Sequence, residues 1–540
     1  MGKWMVFSAW PYINSEPHLG TILHLISADY YTRFLKNMGE EAISVSGSDE
    51  HGTPIEVEAL KRGKEPVELT NEMHLKVLEL LKQFSVELDN YTRTENDVHK
   101  EFVREFYINL EKNGYIFKQQ TTQLYCEHDK IFLPDRFVIG KCPFCGYEKA
   151  RGDQCENCGR LLEPTMLLDP KCTLCGNTPV KKQTYHWFFD LPRLSDQLRK
   201  FVTILPDNVR YFSLNMINEG LKPRSITRDN KWGIRSPFLG SEDKTIYVWM
   251  EAILGYISGV KELELKGNPG MFKKYWKMAD TKSVYFIGKD NIPFHSIILP
   301  ALLIASNEGY NLPTYISSTE FILFGQLKFS KSQHVGVWAS DALKIADGEY
   351  WRYVLLSIRP ERGDSSFSWL DFQKMVNNDL NDTIGNFINR VAKFVGEKFD
   401  GLVPRPNGLN SDDKEFVSKI ISKKKEFIDL NYNLRIKDAV RSFIESGYIG
   451  NEYLSKQKPW DLIKNDRDRA NTVIYNSVQT VGHLGFMMFP IMPRKSSELL
   501  NQFNLKRFSA DLDWEIIEPG HSLNKNNITP LFSKIKLEGL

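Results

Sequence analysis

The clearest chemical signal is the cysteine pattern, since all seven cysteines fall between Cys126 and Cys175. Six of them form Cys-x-x-Cys pairs, and a gap of two residues lets both sulfurs of a tight turn reach one ion. An odd, clustered count without a secretory leader favours metal ligands over disulfides. The first two pairs would close a four-sulfur shell, which favours structural zinc because no position is left for water. These residues are Cys142, Cys145, Cys155 and Cys158.

A second, weaker metal site is indicated around the third pair, Cys172 and Cys175, which needs two further ligands. Cys126 and Asp129 have the matching spacing, and His128 is the alternative for the fourth position. Free buried cysteines remain an alternative for this second group.

Two further segments indicate phosphate chemistry. The first is His-Leu-Gly-Thr at 18–21, expected where a strand leads into a helix. A helix N-terminus offers unpaired N–H groups, Gly20 lets a ligand approach the backbone, and His18 can donate to phosphate oxygens. By itself the tripeptide His-Leu-Gly is weak evidence for a phosphate site, because another copy begins at His483 in an apolar helical stretch.

The second segment is Lys-Phe-Ser-Lys-Ser at 328–332, with glycines on both sides. The ammonium groups of Lys328 and Lys331 could close over a polyphosphate and neutralise charge that develops in a transition state. A solvated basic loop is the alternative.

The elements that must position these residues have the pattern of a parallel α/β sheet. Residues 3–10 predict a buried strand, and apolar positions from Leu19 to Phe34 recur with the period of one helix face. A second strand over 42–45 then runs into the polar loop SGSDEHGTP. Strand, loop, helix and strand in this order predict ligands at the carboxyl ends of the strands.

The rest of the chain divides by pattern. An insertion interrupts the rhythm, strand-like runs leading into helices return at 245–257 and 283–305, and from 363 helical periodicity predicts an α-helical bundle to the C-terminus, broken by a turn at 404. The predicted units are 1–114, 115–235, 236–325, 326–364 and 365–540.

Composition restricts the class of protein. With 540 residues, 41% of them hydrophobic, the chain is expected to fold as several globular units. The net charge of +2 gives no global basic field, so any polyanion must be bound by local patches. The first 14 residues lack a leader, and the apolar stretch 297–305 is too short to span a bilayer. We therefore expect a soluble cytoplasmic protein without membrane partners.

In combination, the motifs resemble those of the class I aminoacyl-tRNA synthetases and, within that class, the methionyl-tRNA synthetase family. The resemblance covers nearly the whole chain. The matching motifs are SAWPYINSEPHLGT, GSDEHGTPI, FLPDRFVIGKCPFCG, RGDQCENCG, SITRDNKWGI, YVWMEAILGY, YFIGKDNIPFHS, KFSKS and QKPW. Thr21 stands where the family's HIGH signature has its second histidine, and Phe329 replaces the methionine of KMSKS.

The resemblance implies an α/β fold: a Rossmann-like parallel-sheet catalytic domain with a zinc-knuckle insertion, followed by an all-α anticodon-binding bundle. It also implies activation of L-methionine with ATP and Mg²⁺, then transfer to initiator and elongator tRNA(Met). His18 and Thr21 would contact phosphate, Gly20 the adenosine, and Lys328 and Lys331 would close the charged loop.

By the same resemblance, aromatic and small residues would line a slot for the methionine side chain, and Asp49 would bind its amino group. The slot residues are Trp10, Tyr12, Trp249, Ala252, Tyr256 and His295. Without the resemblance, the spacing of Trp249, Ala252 and Tyr256 would indicate one helix face in an ordinary core.

The bundle would read the anticodon with Asn386 and Arg390, one helical turn apart, and with Trp460. Because the sequence ends at Leu540 without an appended domain, we expect a monomer, and DNA is not an expected partner. One alternative is a related class I synthetase for Leu, Ile, Val or Cys. However, the insertion looks too short for the editing domain that the branched-chain enzymes need. A non-enzymatic tRNA-binding paralogue is the other alternative.

Overall fold

The computed structural model describes residues 2–134, 137–158, 160–324, 327–328 and 336–537. Lys331 and the side chain of Lys328 lie outside this description. In the part of the chain that is described, no helix is both long and apolar enough to cross a membrane.

The first part of the chain alternates strands and helices. Its elements are β1 (Lys3–Ser8), α1 (Leu19–Asn37), β2 (Glu41–Ser48), α2 (Thr53–Arg62), α3 (Pro66–Gln83), β3 (Asn90–Arg93) and α4 (Asp97–Lys112). The predicted first strand, the helix beginning after His18 and the second strand are confirmed.

A β-rich insertion follows, in which a long antiparallel ribbon carries the cysteine loops between its strands. Its elements are β4 (Ile116–Cys126), β5 (Ile131–Phe132), β6 (Val138–Lys141), β7 (Ala150–Arg151), β8 (Leu168–Cys172), β9 (Val180–Phe189), α5 (Ser195–Val202), α6 (Asp207–Asn218), β10 (Arg224–Ser225) and β11 (Thr227–Arg228). The ribbon is formed by β4 and β9, while β6 pairs with β7 and β8 in a small separate sheet.

The α/β pattern then resumes with β12 (Thr245–Ile246), α7 (Val248–Ala252), α8 (Gly255–Leu265), α9 (Met271–Trp276), β13 (Thr281–Gly288), α10 (Leu299–Ser306) and β14 (Tyr315–Thr319). The run at 245 forms a two-residue strand that leads into helices, as expected. However, this strand pairs antiparallel with β11, outside the parallel sheet. The expected single helix face is also split, because α7 ends at Ala252 and α8 begins at Gly255.

The central sheet has five parallel strands in the order β3-β2-β1-β13-β14. The strand order reverses between β1 and β13, and ligands of open α/β sheets bind outside the carboxyl ends at such a point. Side chains of β1 alternate, so that Met5 and Phe7 join the core on one face and Val6 the core on the other.

The remaining elements are β15 (Ile322–Phe324), β16 (Leu327–Lys328), α11 (Ala339–Ile345), α12 (Gly348–Ser357), β17 (Ser365–Phe367), α13 (Trp369–Lys374), α14 (Asn386–Lys398), α15 (Ser411–Tyr432), α16 (Ile436–Gln457), α17 (Pro459–Asn465), α18 (Arg467–Ile491) and α19 (Pro493–Gln502). Between α13 and α14 the chain continues as a π-helical segment, Met375–Gly385. The predicted helical bundle is confirmed, but it does not reach the C-terminus: after α19 the described chain is mostly irregular.

Candidate active site at the reversal point of the sheet

A cleft of about 1320 Å³ opens beyond the carboxyl ends of the parallel strands. Tyr12, His18 and Thr21, which follow β1, line it together with Asp290 and Asn291, which follow β13. The opposite wall comes from the insertion and includes Arg151, Asp153, Lys171, Cys172 and Thr173. The strand reversal and the cysteine loops therefore enclose one space.

His18 is the N-cap of α1, with extended backbone angles. Its Nδ1 accepts a hydrogen bond of 3.2 Å from the backbone N–H of Thr21. A neutral ring that accepts at Nδ1 carries its proton on Nε2, so His18 has a donor for an anionic ligand. Thr21 lines the cleft in the first turn of the same helix.

The described residues on either side of the predicted lysine loop line the same cleft as His18. Phe321, before the loop, and Trp338, after it, both line the cleft. Backbone bonds join the returning chain to the start of α1, from Leu19 N–H to the Val337 carbonyl at 3.0 Å and from Ala339 N–H to the Pro17 carbonyl at 3.1 Å. The contacts of Lys328 and Lys331 themselves stay a prediction.

Aromatic residues predicted for the slot lie together. The hydroxyl of Tyr256 lies 2.8 Å from Nε2 of His295, whose Nδ1 lies 2.8 Å from the Asn291 carbonyl. Burial lowers the pKa of His295 to about 4. The ring is therefore neutral at physiological pH, donates from Nδ1 and accepts from Tyr256. Trp249 lines the cleft and stacks on Phe294 with ring centroids 4.9 Å apart.

The other slot residues pack on the same helices. Ala252 is buried at the end of α7. Trp10 lies against α8, where a methyl group added at Gly255 would come within 2.5 Å of the indole. Glycine therefore makes room for Trp10 beside Tyr256.

Asp49 and Tyr12 are neighbours in space because the chains after β1 and β2 pair there. Asp49 is buried, and its Oδ1 has no hydrogen-bond partner among the described residues. Burial, together with the negative charge of Glu251, raises the pKa of Asp49 well above its ordinary value. A buried carboxylate oxygen without a partner suits a cationic ligand group.

A buried cluster of charged residues, which the sequence patterns did not indicate, lies next to Asp49. His51 Nδ1 lies 2.5 Å from Oε1 of Glu251, and His51 Nε2 lies 2.6 Å from Oε2 of Glu95. The second oxygen of Glu251 lies 3.0 Å from His99 Nε2. The sequence signal for this cluster was Glu251, a charged residue inside the apolar run YVWMEAILGY, but its partners are distant in sequence.

The cysteine loops form two compact clusters, in each of which all four ligand atoms lie within 4.8 Å of one another. The first is Cys142, Cys145, Cys155 and Cys158, and the second is Cys126, Asp129, Cys172 and Cys175. Tetrahedral zinc with Zn–S bonds of about 2.3 Å separates its sulfurs by about 3.8 Å. The sulfur separations of 3.6 Å for Cys145–Cys155 and 4.0 Å for Cys142–Cys158 fit this geometry, so both clusters could hold zinc. His128 contacts Asp129 at 3.0 Å and is not a member of the second cluster as the described residues form it.

In the helical bundle, two of the predicted anticodon residues are in contact. The guanidinium of Arg390, on α14, lies over the Trp460 ring at 5.1 Å from its centroid. Asn386 begins the same helix and is exposed, as is Trp460.

Comparison with known proteins agrees with this arrangement. Residues 4–392 match the family described as tRNA synthetases class I (M). The chain belongs to this family. Residues 403–539 match the anticodon binding domain of methionyl tRNA ligase.

Two relatives named methionine–tRNA ligase span almost the same length. The protein of Korarchaeum cryptofilum is 50% identical over 543 residues, covering 100% of this chain and 96% of its own. That of Thermofilum pendens is 49% identical over 547 residues, with the same coverage of both chains. Among solved structures, methionyl-tRNA synthetase of Mycobacterium tuberculosis bound by methionyl-adenylate superposes with a TM-score of 0.81 at 21% identity. The match covers 99% of this chain and 100% of the solved chain, which shows that the fold is shared.

Proposed function

We propose that this class I synthetase is a methionine–tRNA ligase that joins L-methionine to ATP's α-phosphate, releasing pyrophosphate, and then transfers methionine to the 3′ end of tRNA(Met). The observation that carries the proposal is the single cleft at the strand reversal. This cleft is lined by His18 and Thr21 at the helix start, by Phe321 and Trp338 on either side of the lysine loop, and by Tyr12 and Trp249 of the predicted slot.

In the first step, the methionine carboxylate attacks the α-phosphorus, and the protein positions the reactants and stabilises phosphoryl charge. His18 donates from Nε2 to phosphate, the Thr21 hydroxyl is a second donor, and Gly20 admits the adenosine. Lys328 and Lys331 close over the pyrophosphate. Mg²⁺ bound to ATP would supply further positive charge at the leaving pyrophosphate.

Methionine is selected by shape, because a thioether offers only a weak acceptor. Trp10, Tyr12, Trp249, Ala252, Tyr256 and His295 form the slot, and Asp49 holds the ammonium group. The neutral state of His295 supports this assignment, since a buried cation would be a poor neighbour for an apolar side chain.

For tRNA, the exposed Trp460 ring with Arg390 and Asn386 supports stacking and hydrogen bonding with unpaired anticodon bases. Each cysteine cluster would hold one structural zinc ion, and the insertion that carries them shapes the cleft wall along which the acceptor end reaches the adenylate. We further propose that the enzyme is a cytoplasmic monomer.

Pyrophosphate exchange, measured separately with methionine, leucine, isoleucine, valine and cysteine, tests the proposal. We expect methionine alone to support rapid exchange. Exchange driven by leucine or cysteine but not by methionine would refute the assignment.

A separate experiment tests the role of Lys331. We expect Lys331→Ala to leave methionine affinity nearly intact while slowing adenylate formation by about 100-fold or more, as for loss of a transition-state contact. Single-turnover adenylate formation and equilibrium methionine binding separate these quantities, and an equal loss in both would contradict the role.

A further inference from the structure

The cluster around His51 is built so that one ring meets two carboxylates. Both ring nitrogens lie within 2.6 Å of a glutamate oxygen, on Glu95 and on Glu251. Because carboxylates only accept hydrogen bonds, both ring nitrogens must donate, and the ring is an imidazolium. Consistently, Glu251 and Glu95 raise the pKa of His51 to about 10, against a burial effect that would lower it.

The charges around this ring can be paired almost completely. Glu50 is paired with Arg93 at 2.7 Å, Glu95 with Lys100 at 2.8 Å, and Glu251 with His51. The carboxylate left without a protein cation, among the described groups of this cluster, is Asp49, whose Oδ1 is buried and unpartnered. The titratable groups that face His51, Asp49 and their partners come from several elements. They are Tyr12 after β1, Glu50 after β2, Arg93 on β3, Glu95 after β3, His99 and Lys100 on α4, Glu251 on α7 and Tyr256 on α8.

His51 and its partners also contact residues of the predicted slot. The Tyr12 hydroxyl donates to the main-chain carbonyl of His51 at 2.6 Å. On the far side of Glu251, the His99 ring lies 5.9 Å from the ring of Trp10. A change in the cluster would therefore act on Asp49 through charge and on two slot walls through contact.

We propose that His51 is a positioning residue for the amino acid: as a cation between Glu95 and Glu251, it compensates Glu251 and so leaves Asp49 available as the carboxylate for the substrate's ammonium group. This inference rests on the proposed activation of methionine. Without the imidazolium, Asp49 and Glu251 would face each other uncompensated, and Asp49 would retain a proton to higher pH.

Pyrophosphate exchange from pH 6 to pH 9 tests the role with His51→Gln and with the double variant His51→Gln/Glu251→Gln. We expect His51→Gln to raise KM for methionine about tenfold at pH 7 and to leave KM for ATP within about twofold of the parent value. The pH at which KM for methionine falls should be about one unit higher than in the parent. In the double variant the unpaired glutamate is gone, and KM for methionine should return to within about threefold of the parent value.

Recovery of KM in the double variant would distinguish charge compensation by His51 from a merely structural role, because a second substitution would not repair a structural defect. His483→Gln, which alters a buried histidine of the bundle, is the matched control and should change neither KM. Equal rises in KM for methionine and ATP, or no rescue in the double variant, would overturn the proposal.

A measurement on the unsubstituted protein tests the cation itself. Among the 11 histidines, ¹⁵N side-chain NMR should find one ring still doubly protonated at pH 9. A spectrum in which every histidine is neutral at pH 8 would refute the ion cluster. If the parent instead fails to exchange with methionine, the proposed function fails, while the NMR result still judges His51.

Discussion

Asp49, which we propose binds the ammonium group of methionine, destabilises the ligand-free fold. Asp49 is buried with one oxygen unpartnered among the described residues, and its pKa is raised by burial and by Glu251. A group whose folded-state pKa is raised holds its proton more tightly when folded, so its contribution to stability is present at low pH and lost as pH rises through the folded pKa. At pH values above the ordinary pKa of a carboxyl group, Asp49 therefore destabilises the ligand-free protein.

We predict that Asp49→Asn raises the free energy of unfolding at pH 8 by on the order of 1 kcal/mol, because the amide carries no charge to desolvate. The gain should shrink as the pH falls toward about 4, where the aspartate is itself protonated. Methionine affinity should fall at least tenfold, because the ammonium group loses its counter-ion. Denaturant unfolding at the two pH values and calorimetric titration measure these effects, and a D49N protein less stable than its parent at pH 8 would contradict the account.

At the scale of elements, the insertion acts as a wall of the active-site cleft. Cys172 and Thr173, at the end of β8, line the cleft, whereas none of the four cysteines of the first cluster is among the described residues that line it. The second cluster therefore contributes one of its own ligands, Cys172, to the cleft wall, whereas the first contributes only neighbours of its ligands, such as Gln154 and Glu156.

We predict that Cys172→Ser and Cys142→Ser each reduce bound zinc by about one ion per chain. Cys172→Ser should lower the rate of methionyl transfer to tRNA about tenfold while pyrophosphate exchange changes much less, because the cleft wall loosens near the acceptor end. Metal analysis with both assays on each variant checks this, and a Cys142→Ser variant with the larger defect in transfer would contradict the assignment of the second cluster to the cleft wall.

The contact between α14 and α17 in the helical bundle carries a separate prediction. Trp460→Ala should raise KM for tRNA about tenfold or more, since base–aromatic stacking contributes about 1–3 kcal/mol per base. Pyrophosphate exchange should be unchanged, because this step needs no tRNA. Tyr448→Ala, which removes another exposed aromatic side chain of the bundle, is the control and should leave KM for tRNA near the parent value.

At the scale of the whole molecule, the sheet and the bundle share one core. Helix α1 packs against the sheet on one side and against α12 and α18 on the other. At this junction Arg352 is fully buried and pairs with Asp29 at 2.7 Å. Its guanidinium also donates to the carbonyls of Ile491 at 2.8 Å and Pro490 at 2.9 Å. One side chain thus joins α1, α12 and α18.

We predict that Arg352→Met lowers the free energy of unfolding by about 3–5 kcal/mol, because it leaves a buried carboxylate and two carbonyls without this partner. Arg441→Met, which removes an ion pair of a largely exposed arginine, should cost less than about 1 kcal/mol. Urea unfolding followed by both fluorescence and circular dichroism measures the loss. Equal effects of the two substitutions would show that the junction does not hold the two parts together.

The features that were predicted from the sequence depend on neighbours along the chain. The two-residue gaps in Cys142–Cys145 and Cys155–Cys158 predicted that each pair shares an ion site. The start of α1 was predicted at His18, which is its N-cap. The one-turn spacing of Asn386 and Arg390 predicted that they share one helix, which is α14. The strand-like run at 245 forms a strand of only two residues outside the parallel sheet, because tertiary packing assigned the β-branched and aromatic residues that follow it to a helix cap and a short helix.

The sequence by itself determined the motifs, their order and the local turns and helix starts, because those depend on bond geometry within a few residues. Only the tertiary structure decided how charge is balanced in the site: His51 and Glu251 are 200 residues apart, and Arg352 meets Asp29 only when the bundle packs on α1. Whether a buried charge is compensated depends on distance in space and on the removal of water. Neither quantity can be calculated from residue order before the chain is folded.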